Sequence, residues 1–161
     1  MKRQLGALFR SAVGLSAPLA LLFAVEASPA AAQELPYQYA VKCICGRPAS
    51  RVVAPGVYFT AINVHNPGRE GVHFRKKIAV ALPSEKAGPV SPFFDARLGP
   101  DEALEIDCPD ILKHSHTEGF VKGFVVIESQ TELDVVAVYT AAGSTGQVQT
   151  MALERVPPRK P

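Results

Sequence analysis

The sequence contains no tryptophan, two methionines and three cysteines in 161 residues. Without Trp, and with few Ser/Asn runs, little in it resembles the aromatic platforms on which carbohydrates stack, and the buried Trp of antibody-type domains is missing. The cysteines include a C-x-C pair and no C-x-x-C, which excludes the thioredoxin-like redox motif. No Gly-x-Ser-x-Gly elbow, Gly-rich oxyanion loop or phosphate-binding glycine loop occurs, so the chain reads as a protein other than an enzyme, and no cofactor is expected. Beyond residue 32 no apolar run approaches the roughly 20 residues needed to cross a bilayer, so no membrane span is expected in the mature chain.

What is present begins with a leader. Lys2, Arg3 and Arg10 precede an apolar stretch from Ser11 to Val25, and Ala30, Ala31 and Ala32 supply a small-residue cleavage site before Gln33. This is the pattern of a cleaved secretory signal peptide over residues 1–32, which places the mature protein in the periplasm or outside the cell. There is no Arg-Arg pair for folded export, and Cys43 lies too far beyond the leader to be a lipidation site. The chain has 17 Lys and Arg against 15 Asp and Glu; the leader holds Lys2, Arg3 and Arg10 against Glu26, so 14 of each remain. A formally neutral mature chain gives no electrostatic footprint for nucleic acid.

Residues 33–157 read as one β domain, and residues 158–161 as a short basic tail. Tyr37, Tyr39, Val41, Cys43 and Cys45 alternate with Gln38, Ala40, Lys42 and Ile44, a half-buried first strand. Val57 to Asn66 alternates likewise and is stopped by Asn66-Pro67-Gly68. Val72 to Leu82 is a third strand interrupted at Lys76, which points to a bulge or an edge position open to strand addition by a partner. Pro83 to Pro100 reads as a long connection between sheets, with Phe93 and Phe94 plugging it onto the core. Glu102 to Cys108 is a short strand, followed by one helical turn from Cys108 to Leu112. Phe120 to Ile127 and Leu133 to Thr140 are apolar on both faces and are expected to pair as a hairpin across Ser129 to Glu132. Val148 to Arg155 is the last strand. About seven short antiparallel strands with Pro/Gly punctuation give an all-β fold class, a single immunoglobulin-like β-sandwich.

In an oxidising compartment Cys108 is expected to be bridged, and its partner is Cys43 or Cys45. Those two are too close along one strand to bridge each other easily, and the strand end at Gly46 favours Cys45. Closing a loop of about sixty residues contributes roughly 4 kcal/mol in the chain-entropy model. The remaining cysteine reads as a small buried apolar residue.

Few residues carry chemistry. His65, His73, His114 and His116 are candidate ligands for copper or zinc: His114 and His116 flank Ser115, while His65 and His73 flank the Asn66 to Gly71 loop. Asp101, Glu105 and Asp107, with Asp110 beyond, are a candidate calcium cluster or a solvated acidic face. Arg75, Lys76 and Lys77 are candidate anion contacts or edge protection. Ser115 between two imidazoles lacks the surroundings of a nucleophile.

The blocks YAVKCICG, TAINVHNP, RKKIAVALP, PDEALEIDCPDI, GFVKGFVVIES and LDVVAVYTA resemble a group of small exported bacterial proteins with an immunoglobulin-like sandwich. The resemblance spans nearly all of the mature chain. It implies fold and compartment and carries no catalytic residues across. The function expected is a non-catalytic exported module that binds an envelope protein or polymer. The alternative is an envelope metal-binding protein built on His114 and His116.

Overall fold

In the computed structural model, residues 35–49, 53–143 and 145–160 are described; the expected signal peptide lies outside them. The alternating segments form nine antiparallel strands and one helix: β1 Tyr37–Gly46, β2 Val57–His65, β3 Val72–Ala81, β4 Ala87–Val90, β5 Phe94–Leu98, β6 Ala103–Ile106, α1 Cys108–Ser115, β7 Phe120–Ser129, β8 Asp134–Ala142 and β9 Val148–Arg155. The ladder runs β4-β3-β7-β1-β2-β8-β9, with β5 on β3 and β6 on β2. Its middle link is a single Gly46–Tyr58 pair. The ladder therefore folds there into two layers, β1-β7-β3 with β4 and β5, and β6-β2-β8-β9, as a sandwich-like all-β fold. Among the described residues no helix is long and apolar enough to cross a membrane.

The expected inner faces are the buried ones. Tyr39, Val41, Cys43 and Cys45 of β1, Ile62 and Val64 of β2, Val72, Phe74 and Ile78 of β3, and Val121, Val125 and Ile127 of β7 meet Val135 and Ala137 of β8 in one core. Period-two alternation puts these residues on the facing surfaces, and burying them supplies the main favourable term. Cys45 and Cys108 form a disulfide with Cα atoms 5.4 Å apart, which ties the end of β1 to the first turn of α1, and Cys43 is a buried free thiol. Beside the bridge, the buried Thr60 hydroxyl accepts from the Ile44 N–H at 3.0 Å and donates to the Ile44 carbonyl at 2.9 Å, so a side chain of β2 pairs the backbone of β1.

Two expectations about strand pairing are corrected. Phe120–Ser129 and Asp134–Ala142 are consecutive strands but do not pair: β7 lies between β1 and β3, and β8 between β2 and β9. The four residues between them cross from one layer to the other, a distance of about 10 Å. Tyr39 holds this crossing in place. Its buried hydroxyl donates to the Leu133 carbonyl at 3.0 Å and accepts from the Leu133 N–H at 2.7 Å. Strand β3 is not an edge, since β7 covers one side while β5 and then β4 cover the other, and its irregularity lies against β4 between Ala79 and Ala81, not at Lys76. Residues 83 to 100 thus return to the same layer as two short strands. Lys76 keeps its register with both neighbours and lies at the rim of the inner face, its ammonium 6.0 Å from the Phe74 ring. A long aliphatic stem allows this, because it covers apolar surface while the charged end stays at the rim.

The helix is longer than the expected single turn. Asp107 caps it by accepting from the Asp110 N–H at 3.1 Å, Asp110 reciprocates as a capping box, and Pro109 sits in the first turn. His116, at φ 51°, ends it in the left-handed conformation. The chain after β9 does not hang free, for Arg159 and Gln38 exchange two backbone hydrogen bonds at 2.8 and 3.0 Å.

Candidate functional site

The four histidines fall in three places: the end of β2, the start of β3 and, for His114 and His116 together, the C-terminal end of α1. His65, at the end of β2, has Nε2 3.0 Å from Asp101 and Nδ1 3.5 Å from Asp134. Hydrogen bonding to Asp101, with Asp134 adding to it, raises its pKa above the ordinary imidazole value. A ring with both nitrogens engaged by carboxylates has no lone pair to offer a metal when protonated. His73, across from Arg97 in the β3-β5 ladder, stands on the outward side of its layer, as His65 does of the other, so the two side chains leave opposite faces of the sandwich. That loop is closed by Asn66 itself, whose buried amide donates to the carbonyls of Glu70 and Gly99, both at 2.8 Å.

His114 packs at the end of the sandwich, its ring centroid 3.9 Å from that of Phe94. Burial, then Lys113, lowers its pKa, and burial also lowers that of nearby Lys76. Phe94 therefore packs at the rim against the helix, while Phe93 sits beneath two cations, 4.2 Å from the Arg75 guanidinium and 4.4 Å from the Lys77 ammonium. Ser115 is buried and donates to the Leu112 carbonyl at 3.2 Å, so its hydroxyl serves the helix. Among the described residues no three His, Cys, Asp or Glu side chains gather as a metal site. Three of the four acidic candidates are engaged locally, Asp101 on His65 and Asp107 and Asp110 in capping α1, while Glu105 is exposed on β6; nearby Glu102 accepts from the Gly99 N–H at 2.6 Å.

Two surfaces are notably apolar. One is a cleft of about 480 Å³ at the end of β1, β3 and β7, lined by Val80, Leu82, Pro89 and Phe120, with Arg47 and Lys122 also on its wall. The other is the outer face of β2, β8 and β9. Here Phe59 is 49 % exposed, Leu153 70 % and Met151 71 %, with Ala61, Val136 and Val138 between them half-buried. The β2-β8-β9 register aligns these side chains: Ala61 faces Val138, which faces Leu153, while Phe59 faces Thr140, which faces Met151. Beyond it, among the described residues, no strand pairs the far side of β9, and all eight residues of the strand are exposed.

No family model and no curated protein matches the chain. Among solved structures it is similar to the crystal structure of Thermotoga maritima 1070, with a TM-score of 0.50 and 9 % sequence identity over 80 % of this chain and 97 % of that one. At that identity the likeness concerns the fold alone. The function must therefore be argued from the surface.

Reasoning from the sequence identified the last strand and missed that it is exposed along its whole length. The signal was there: Val148 to Leu153 carries no charge, and Met151 and Leu153 recur at strand period, but whether that face is covered depends on partners distant in sequence.

Proposed function

We propose that this chain is an exported, non-catalytic immunoglobulin-like sandwich that acts as an interaction module in the cell envelope through the outer face of β2-β8-β9. The observation that carries this reading is the apolar strip from Phe59 to Leu153, which ends at the outer edge of the terminal strand β9. Exposed contiguous apolar surface with an adjoining polar rim marks an interaction site far more often than single exposed apolar residues do. The immunoglobulin-like assignment is supported by strand order, since β1-β7-β3 opposite β2-β8-β9 follows the B-E-D and C-F-G arrangement, with β4, β5, β6 and α1 inserted between D and E. Export is supported by the leader pattern and by the Cys45–Cys108 bridge, a bond that persists in oxidising compartments.

The test places a photo-crosslinking amino acid at Leu153 in protein exported to a bacterial periplasm. A crosslinked product of defined mass that disappears with Met151→Lys is expected. Absence of any such product, or substrate turnover in a broad hydrolase screen that is lost with His114→Ala and His116→Ala together, overturns the proposal.

A further inference from the structure

We propose that the occupant of the open edge is a second copy of this chain, its β9 pairing antiparallel with β9 about Ala152 to make one sheet across two molecules. This rests on the surface reading above and names its partner. The backbone sets which residues take part. Val156 donates to the Val135 carbonyl at 2.9 Å, and the β8-β9 register is continuous from Arg155 to Thr150. In an antiparallel ladder alternate residues turn their N–H and C=O groups to the same side. Glu154, Ala152 and Thr150 therefore point theirs at β8, and Arg155, Leu153 and Met151 point theirs outward, ready for a partner.

The side chains select the register. A two-fold axis normal to the sheet keeps outer faces together, so only registers that pair residues of like orientation close. Centred on Ala152, Met151 stands opposite Leu153 of the second copy, twice, in hydrogen-bonded positions on the apolar face. The two Ala152 residues meet in the closer, non-hydrogen-bonded geometry, where small side chains fit, and Glu154 faces Thr150. Centred one position away, on Met151 or Leu153, the register shifts by two and the remaining apolar side chain faces Gln149 or Arg155 instead. Charge does not oppose the pairing. Glu154 accepts from the Tyr139 hydroxyl at 2.9 Å and Arg155 binds Asp134 at 2.6 Å, so both charges are engaged within their own chain and neither faces a like charge.

The other edges are shorter and carry proline or charge within them, whereas the first six residues of β9, Val148 to Leu153, carry neither. Strands β4, β5 and β6 are four, five and four residues long and contain Pro89, Asp95, Arg97 and Glu105. The open side of β1 is tied at Gln38 by Arg159, at Ile44 by Thr60 and at Gly46 by Tyr58. Natural sheets blunt exposed edges with short strands, charge and proline, and a long edge without them is a template for pairing. Two strands of this length bury less than the standard interface of about 1,600 Å², so the dimer forms in a concentration-dependent way.

The experiment is sedimentation velocity on the mature exported protein over a concentration series, with the same series for Met151→Lys/Leu153→Lys, and oxidative crosslinking of Ala152→Cys. A dimer that grows with concentration, vanishes in the double variant and is locked by a single Cys at 152 is expected. Thr150→Cys and Glu154→Cys are expected to crosslink to each other when mixed and not to themselves. A monomer at every concentration, or a dimer indifferent to the double variant, overturns the proposal. If the wild type is monomeric but the Leu153 photo-crosslink to another envelope component persists, the second copy is refuted and the interaction reading stands; if both are absent, both fall.

Discussion

Removing one oxygen atom tests how the two layers are joined. In Tyr39→Phe the ring stays in the core, so no cavity opens, but the Leu133 N–H and carbonyl, bonded to the hydroxyl at 2.7 and 3.0 Å, both lose their partner while buried. Each unsatisfied buried group costs about 1–3 kcal/mol, and partial relaxation of the crossing brings the expected loss to about 2–4 kcal/mol. For a domain of this size that corresponds to a fall in Tm of roughly 6–20 °C. Urea unfolding followed by far-UV circular dichroism measures it, since the chain has no Trp to report by fluorescence. Tyr37→Phe, half-buried on the same face of β1, is the control and should lose about 0.5 kcal/mol or less. A loss below about 0.5 kcal/mol in Tyr39→Phe as well would mean that water replaces the hydroxyl and that the crossing is not anchored by β1.

Three further outcomes follow from the same geometry. Opening the Cys45–Cys108 bridge, which spans 63 positions, by paired substitution to Ala should lower stability by about 4 kcal/mol in urea, and a loss under about 1 kcal/mol would refute the loop-closure account. Cys43, whose thiol burial pushes up to about 11, should be silent to an aromatic disulfide reagent at pH 8 in the native protein and give one equivalent after unfolding; native labelling would refute its burial. His65 and His114 should titrate in opposite directions from the ordinary value of 6.5, readable by NMR. The raised His65 contributes stability that is present below 6.5 and lost as pH rises through its folded pKa, so His65→Gln should cost more at acidic than at alkaline pH. The lowered His114 contributes in the opposite sense, its share present above 6.5 and lost as pH falls through its folded pKa. His114→Gln should accordingly lessen acid sensitivity; either ring titrating on the wrong side of 6.5 defeats the assignment.

The strands and their inner faces were legible because burial in a sandwich repeats every two residues, as at Tyr39, Val41, Cys43 and Cys45. The bridge was legible from chain geometry, with Cys45 at a strand end and Cys108 before a proline. Pairing was not. Ser129 to Glu132 can reverse a chain within one sheet or carry it between two, and the residue that decides, Tyr39, lies 94 positions from Leu133. Lys76 looked like a break because a charge at an inward position usually is one, and only the tertiary structure shows its stem lying at the rim of the inner face near Phe74. The histidines looked like ligands by spacing alone; Asp101 and Asp134, which occupy His65, are 36 and 69 positions away from it.

The distribution of burial bears on why an unprotected edge can persist in this fold. Strand β8 places Val135 and Ala137 in the core, and the chain re-enters the interior at Val156, but no residue of β9 between them is buried. The frame is closed by elements that lie elsewhere: the Cys45–Cys108 bridge, the Thr60–Ile44 bonds and the Tyr39–Leu133 tether. Apolar side chains at Met151 and Leu153 thus add little to the stability of the isolated chain, and exposing them carries the hazard of uncontrolled pairing. Pairing between molecules, as proposed above, gives them a role that the isolated fold does not. For the same reason Met151→Lys and Leu153→Lys should leave the unfolding midpoint within about 0.5 kcal/mol of the parent while abolishing association. A large loss of stability in those variants would show instead that β9 is part of the core.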